Sequence, residues 1–395
     1  MSRSKQGVLA TIVVSSACLP LGLTTPESWA ASALERQRGK AGLYLRLAQP
    51  ERQKNADYFF RHPLVDAVVV TLKWSELEPA DGRYEFTEID RMVTLAKRYH
   101  KGLVVACSTY GQIPENQPTP DWLYDKGVKR LTFPGGGVAK GNPISVPKVW
   151  EERYLQEYAK LIQALGARYA REPSIWYIMP GFGHTGNLNA QPSKEGTRAF
   201  LSEGWTPAVW KAFCLRVVER YQEAFPNTPL LVKSAKQLLR EKRHRNFSKE
   251  ADEILNELAA RGVSIISFGL EANKDALVQH NVIGRIASLS SYAVSGSIRV
   301  GVGDDWPLWV PAQRRKKAFL SDRDEAGLAR ELQYAFGGVQ GLPASHISIL
   351  YVLHPEIDAS HPEQGPAQNK TVYQLLEAAR ARLKADDPIA KLSGR

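Results

Sequence analysis

Residues 74–86 read Trp-Ser-Glu-Leu-Glu-Pro-Ala-Asp-Gly-Arg-Tyr-Glu-Phe, and this stretch says most about the chain. It comes just after an apolar run, Ala67–Leu72 (AVVVTL), whose composition is typical of a buried strand. A segment with helical spacing follows from Glu88, with acidic residues in its first turn. The stretch therefore predicts a tryptophan at a strand end, a Leu-Glu-Pro corner and a Gly-x-Tyr-x-Phe closure before a helix.

This combination of residues resembles the second strand-to-helix unit of the retaining-glycosidase clan of (β/α)8 barrels, which includes the GH42 and GH5 families. The resemblance implies a barrel fold, a carbohydrate substrate and two catalytic glutamates, at the ends of strands four and seven. In such enzymes one carboxyl group protonates the leaving oxygen, and the other attacks the anomeric carbon or activates water. No metal-ligand spacing such as His-x-His is present, and no cofactor is expected.

The rest of the chain alternates eight times between a short apolar run and a stretch with helical spacing. Runs that are apolar throughout predict strands buried on both faces of a parallel sheet. Eight such pairs predict a single (β/α)8 barrel, with residues 31–395 as one domain. A doubly wound open sheet is the alternative, but no Gly-rich phosphate turn follows the first strand. The predicted strands are Gly42–Leu47, Val65–Leu72, Leu103–Ser108, Ile175–Met179, Leu230–Lys233, Val263–Phe268, Ile298–Val302 and Ile347–Leu353.

The first 30 residues have the three regions of a secretory signal peptide. Arg3 and Lys5 precede an apolar run, Val8–Leu23, and Ser28–Ala30 offers small residues for cleavage. The apolar run is too short to span the ~30 Å hydrocarbon core of a bilayer. The sequence therefore predicts a secreted or periplasmic protein, with no stable membrane insertion once the signal peptide is removed.

The chain is strongly basic, with a formal net charge of +11. Two runs carry much of this charge, Arg240–Arg245 and Arg314–Lys317, and each follows a predicted strand. No aromatic residues alternate with them and no nucleic-acid module signature is present, so nucleic acid is not an expected partner. Two interpretations stay open: a solvated face that keeps the protein soluble, or a surface that steers an acidic glycan to the mouth. The oligomeric state is also open.

The loop after strand four departs from the glycosidase pattern. Residues 183–186 read Gly-His-Thr-Gly, where that pattern has a glutamate. His184 is a candidate proton donor or sugar-binding group, because histidine titrates near neutral pH. The alternative is a loop histidine that only bonds to the backbone. Asn187, in the same loop, is a candidate sugar contact.

Acidic residues follow strands six, seven and eight instead. Glu271 follows strand six, and Asp304 and Asp305 follow strand seven, where the pattern has its second glutamate. Acids gathered at one rim raise one another's pKa, which suits a proton donor. We predict that Glu271 and one of the two aspartates form the catalytic carboxyl pair, with Glu356 after strand eight in reserve. The alternative is that the aspartates cap a helix.

Aromatic residues at the strand ends and in the long loops offer flat faces for sugar rings. Each alone fits ordinary core packing, but together they are biased toward one face of the barrel. The aromatic candidates are Trp74, Tyr110, Trp122, Phe182, Trp205, Trp306 and Trp309. The predicted substrate-binding residues are Arg46, Trp74, Tyr110, His184, Asn187, Trp306 and His354. Glu78 precedes a proline in the strand-two corner and is predicted to be structural.

Together these features predict a secreted glycoside-hydrolase-like barrel that hydrolyses the O-glycosidic bonds of a poly- or oligosaccharide by a two-carboxylate mechanism. The missing glutamates after strands four and seven keep a second interpretation open, in which a catalytically inactive barrel binds glycan with the same aromatic platform. The sugar, the linkage and the stereochemical outcome are left open by the sequence.

Overall fold

The computed structural model describes the barrel together with parts of its long loops. The described residues are 39–47, 49–111, 117–135, 141–183, 186–191, 193–235, 238–239, 247–268, 285, 288–289, 292–293, 298–303, 308–315, 323–337 and 347–385. The predicted signal peptide and the basic run Arg240–Arg245 lie outside these residues.

The strands form a nearly closed (β/α)8 barrel, so the predicted fold is confirmed. In chain order the described strands are β1 Gly42–Leu47, β2 Ala67–Lys73, β3 Gly102–Ser108, β4 Arg130–Pro134, β5 Pro143–Pro147, β6 Ile175–Met179, β7 Leu231–Lys233, β8 Ser264–Phe268, β9 Val300–Gly303 and β10 Ile349–Leu353. Eight of them pair in the order β6-β3-β2-β1-β10-β9-β8-β7. A parallel bridge between Ile178 and Leu230 joins the two ends of this sheet. Neighbours in the chain are therefore neighbours around the barrel, which excludes the doubly wound alternative.

The barrel strands are buried on both faces, which explains why their sequences are apolar throughout. One cluster fills the inside of the barrel and includes three tyrosines, Tyr44, Tyr177 and Tyr351. A larger cluster lies between the strands and the surrounding helices. The barrel is thus a packed core that holds the strand ends in place.

Helices cover the outside of the barrel. The described α-helices are α1 Gln49–Phe60, α2 Trp74–Leu77, α3 Thr87–Arg98, α4 Trp122–Asp125, α5 Glu152–Tyr169, α6 Lys194–Ser202, α7 Pro207–Ala224, α8 Ser248–Ala260, α9 Glu325–Gly337, α10 His354–Ser360 and α11 Lys370–Ala385, with short 3-10 helices at Ala312–Arg314 and Pro362–Ala367. The start of α7 shows how the sequence sets these bounds. Thr206 Oγ1 accepts a hydrogen bond from Val209 N at 3.1 Å, and Pro207 occupies the first helical position.

The stretch from Trp74 to Phe86 forms a rigid corner between β2 and α3. Glu78 is buried, with Oε2 accepting from Trp74 Nε1 at 2.8 Å and Oε1 accepting from Gly82 N at 2.9 Å. Gly82 has φ +71, a left-handed conformation that favours glycine. Burial is the largest influence on Glu78 and raises its pKa. The structural role predicted for Glu78 is therefore confirmed.

The long loop between β3 and α5 contains an antiparallel hairpin that the sequence analysis did not predict. Strands β4 and β5 pair from Arg130↔Pro147 to Pro134↔Pro143. Their buried side chains are Leu131, Phe133, Ile144 and Val146. The alternate side chains, which include Thr132 and Ser145, are exposed or partly exposed, except that Pro147 at the end of β5 is buried. The hairpin therefore presents a polar face beside the strand-two corner.

Candidate active site

The C-terminal ends of the strands surround a narrow cavity at the floor of the barrel mouth. Its described lining includes Thr71, Ala106, Met179, Lys233 and Tyr351. The cavity measures about 10 Å³, which is close to the space needed for one water molecule. The cavity is therefore too small for a ligand larger than a water molecule, and in this fold substrates usually bind above the strand ends, between the loops.

Lys233 is a candidate site residue that the sequence analysis missed. It ends β7, is 8% exposed, and its Nζ lies 5.5 Å from the centroid of the Tyr351 ring, within cation–π range. A signal was present in the sequence. Leu231 belongs to the inner cluster, and residues two apart on a strand share a face. A lysine that ends an apolar barrel strand is thus placed on the inner face at the mouth.

Two further cations belong to the inner face of the described mouth. Arg46, a predicted substrate contact, lies two residues beyond Tyr44 on β1 and is half-buried. Lys73 ends β2 and forms an ion pair with Glu76, with Nζ and Oε1 3.6 Å apart. Strands β1, β2 and β7 therefore each bring a basic residue to the mouth, which favours negatively charged groups there.

Trp74 and Tyr110, both predicted to contact a sugar, are fully buried. The Trp74 indole packs edge-on against Tyr154 at 5.6 Å, below the strand-two corner. The Tyr110 hydroxyl donates to the backbone carbonyl of Ala190. This burial argues against direct contact with a sugar. Trp74 anchors the corner, and Tyr110 ties the loop after β3 to the loop after β6.

The other four described aromatic candidates differ in how far they are buried. Phe182, Trp205 and Trp309 are buried in the core. Trp122 is partly exposed, with its Nε1 donating to the carbonyl of Glu78 at 3.0 Å. Among the described aromatic candidates, Trp122 is therefore the one that can offer part of its ring to a ligand.

Asn187 and His354 are both half-buried on the mouth side, where a substrate contact is expected. The Asn187 carbonyl accepts from Gly183 N at 2.9 Å, which closes a tight loop after β6. A Cβ added to Gly183 would lie 2.1 Å from the Asn189 carbonyl oxygen. The loop therefore has no space for a side chain at Gly183, next to the place where a glycosidase carries its acid. His354 is the first residue of α10.

Glu356 lies in the first turn of α10 and is fully buried. Its Oε1 accepts hydrogen bonds from Leu308 N and, at 3.2 Å, from Trp309 N. Among the described residues no hydrogen-bond partner meets its Oε2. Burial raises the pKa of Glu356 to about 8. This geometry indicates that Glu356 positions the backbone of Leu308 and Trp309, which follow the loop after β9.

The titration of Glu356 predicts a measurable effect of pH on stability. Unfolded Glu356 titrates near 4.5, whereas the folded carboxyl keeps its proton to about pH 8. The unfolded state therefore loses its proton first, and the folded state loses relative stability as pH rises through this window. Glu356→Gln keeps the acceptor and removes the titration. We expect the variant to be more stable than the parent by about 5 kcal/mol well above pH 8, and equal to it below pH 4.5.

Denaturant unfolding of parent and variant across this pH range measures the effect. The control is Glu223→Gln, because Glu223 is 63% exposed and pairs only with Arg220 at the surface in the described structure. Parallel pH profiles for the parent and Glu356→Gln would contradict the assignment of a buried, protonated Glu356.

The remaining predicted site residues lie outside the described residues. They are His184, Glu271, Asp304, Asp305 and Trp306. Their roles stay predictions from the sequence. Within the described ranges, no group of three or more His, Cys, Asp or Glu side chains is arranged to hold a metal ion. The helices that the structure describes include none with the length and apolar character needed to cross a membrane.

Comparison with known families identifies relatives of this barrel. The model of glycoside hydrolase family 42, described as beta-galactosidase, matches residues 50–187. The resemblance to the glycosidase barrels is confirmed. The matched segment of this glycosidase-like chain runs from α1 to the loop after β6 and contains the corner from Trp74 to Phe86.

Two individual proteins extend the comparison. Beta-galactosidase Bga of Halorubrum lacusprofundi is 24% identical over 321 residues, which are 76% of this glycosidase-like chain and 40% of the relative. The chain thus spans about two fifths of the length of that curated relative. The catalytic domain of beta-amylase from Paenibacillus polymyxa superimposes with a TM-score of 0.58 at 11% identity, over 87% of this chain and 98% of that one. This second likeness concerns the fold.

Proposed function

We propose that this chain hydrolyses the O-glycosidic bonds of a poly- or oligosaccharide at the C-terminal face of its barrel. The observation that carries the proposal is the family-42 match over residues 50–187, which includes the Trp74–Phe86 corner. The barrel alone supports it less, because one fold hosts many unrelated activities. The curated relative is named a beta-galactosidase, so β-galactosides are the first substrates to test.

The proposed chemistry uses Glu271 and one of Asp304 and Asp305. One carboxyl group, in its acid form, gives its proton to the glycosidic oxygen as the bond to the anomeric carbon breaks. The other, as a carboxylate, attacks the anomeric carbon or takes a proton from the attacking water.

The proposed substrate is an acidic glycan, such as one that contains uronic acid. The strand-end cations Arg46 and Lys233 support this choice, as does the net charge of +11, whereas the charge of Lys73 is offset by its ion pair with Glu76. A basic mouth attracts an acidic polymer over a distance of about one Debye length, ~8–10 Å at moderate salt. The proposed location is secreted or periplasmic, on the strength of the N-terminal signal pattern.

A catalytically inactive barrel that binds glycan is the second candidate. The observation that favours it is the loop after β6, where Gly183 leaves no space for a side chain and the sequence places Gly-His-Thr-Gly instead of a glutamate. Such a protein would bind the same glycans without turnover.

A hydrolysis assay on matched glycans tests the proposal. Purified protein is incubated with β-1,4-galactan, a neutral polymer, and with the same polymer oxidised at C6 to uronic acid units, its acidic counterpart, and the release of reducing ends is measured. We expect release from at least one polymer. We also expect the preference of the protein for the acidic polymer to decrease as salt is raised from about 0.01 M to 0.15 M, because salt screens the attraction between charges. Binding without release from either polymer would favour the inactive barrel, and equal, salt-independent activity would contradict the acidic preference.

A further inference from the structure

An open cleft of about 630 Å³ lies beside the barrel mouth, outside the ring of strand ends. Its walls come from three segments: the strand-two corner with Ser75 and Ala80, the segment from Gln117 to Trp122, and the hairpin residues Arg130 and Ser145. This volume falls within the ~300–1,000 Å³ of sites that bind small organic ligands. The cleft takes no part in the carboxyl chemistry proposed above.

The walls of the cleft are held together by backbone contacts. Ser75 N donates to the Pro118 carbonyl at 2.8 Å, and Ser75 Oγ donates to the Gln117 carbonyl at 3.2 Å. Trp122 Nε1 donates to the Glu78 carbonyl at 3.0 Å, and its ring packs edge-on against buried Trp74 at 6.0 Å. These contacts join the first two walls. The cleft is therefore preformed, which lowers the entropic cost of binding.

The third wall is the polar face of the hairpin. Ser145 sits at the cleft with its hydroxyl 3.0 Å from that of Thr132, while the alternate hairpin side chains are buried. Arg130 stacks over the ring of Tyr124 at 3.7 Å and pairs with Asp121 at 3.2 Å. The guanidinium is thus largely compensated, so this wall offers hydrogen bonds without a strong net charge.

The lining combines a partly exposed indole and prolines with hydroxyl groups. A sugar ring has the complementary pattern, because its C–H face is apolar and its edge carries hydroxyls. An anion would require an uncompensated cation, and Arg130 is paired. A protein partner of ordinary size would require an interface of about 800 Å² on this side.

We propose that this cleft is a glycan subsite that holds sugar units of the substrate away from the bond to be cleaved. The inference rests on the proposed function for the identity of the ligand. The strand-two corner links the two regions, since Lys73 ends β2 at the mouth and Ser75 begins the cleft two residues later. We therefore expect a long glycan bound at the mouth to contact the cleft and a disaccharide not to.

The test compares binding of short and long glycans by calorimetry. The probes are the disaccharide and hexasaccharide of β-1,4-galactan and of its C6-oxidised form. Ser145→Trp and Ala80→Trp fill the cleft from opposite walls, and Ser202→Trp is the control because Ser202 is exposed at the end of α6. We expect the parent to bind one hexasaccharide about tenfold more tightly than its disaccharide. Both cleft variants should lose that gain and keep the disaccharide affinity, while the control behaves as the parent.

Every protein in this comparison also carries Glu271→Gln, which is expected to prevent hydrolysis of the probes, so binding is measured without turnover and the two proposals fail separately. If the protein without this substitution hydrolyses no glycan but this length dependence is observed, the proposed activity fails and the subsite stands. A parent that binds neither hexasaccharide more tightly than its disaccharide would overturn the subsite. So would cleft variants that retain the full gain, or that weaken both lengths equally.

Discussion

Replacing Trp74 with alanine is expected to lower the free energy of unfolding by about 4–5 kcal/mol, near the upper end for a buried aromatic residue. Trp74 is fully buried and packs against Trp122 at 6.0 Å, Tyr154 at 5.6 Å and Tyr158 at 5.1 Å. Alanine would leave a cavity at the centre of this cluster. It would also remove the donor that Glu78 Oε2 uses inside the protein.

Urea denaturation of Trp74→Ala and Trp74→Phe separates the two contributions. Trp74→Phe keeps a ring in the cluster but removes the indole N–H, so we expect a smaller loss of about 1–2 kcal/mol. If Trp74 were instead a sugar platform, alanine would weaken glycan binding and leave the unfolding free energy nearly unchanged. That result would contradict the structural role assigned to the Trp74–Phe86 corner.

Removing the catalytic carboxyl groups is expected to have the other large effect. Glu271→Gln, and one of Asp304→Asn and Asp305→Asn, should lower the rate of glycan hydrolysis by about 10³-fold, within the range for loss of a general acid or base. The amide replacements preserve shape and most hydrogen bonds, so glycan affinity should change little. Because adjacent residues usually point in different directions, replacing the second aspartate should change the rate little.

The strands could be predicted from sequence because burial on both faces makes each one continuously apolar. The predicted and observed bounds of the first strand agree. The second strand, predicted at Val65–Leu72, is observed at Ala67–Lys73. The hairpin of β4 and β5 was missed for a physical reason. Each strand has only five residues and ends at a proline. An isolated two-stranded sheet is only marginally stable in water unless it packs on a core. Its stability comes from tertiary packing, which the local sequence does not reveal.

The candidate site was harder to predict than the fold, because position along the chain does not fix where a side chain points. Trp74 does follow a strand end, as predicted, but it begins the short helix α2 and turns inward. Lys233 was overlooked because it ends a three-residue strand, although its alternation with Leu231 places it at the mouth. Glu356 follows β10 as predicted, yet its Oε1 accepts hydrogen bonds from the backbone of another loop, in which Trp309 lies 47 residues away in the sequence.

We propose that two carboxyl groups, Glu271 after β8 and one of Asp304 and Asp305 after β9, cleave glycans at the mouth of this barrel. The most direct measurement is the initial rate of reducing-end release by the parent and by Glu271→Gln, on the polymer that the parent prefers, with affinity measured on the same samples. Glu223→Gln serves as the matched control, since its carboxylate is 63% exposed. We expect Glu271→Gln to hydrolyse the polymer about 10³-fold more slowly than the parent and the control, with unchanged affinity for the polymer. Turnover by Glu271→Gln equal to that of the parent would contradict this proposal.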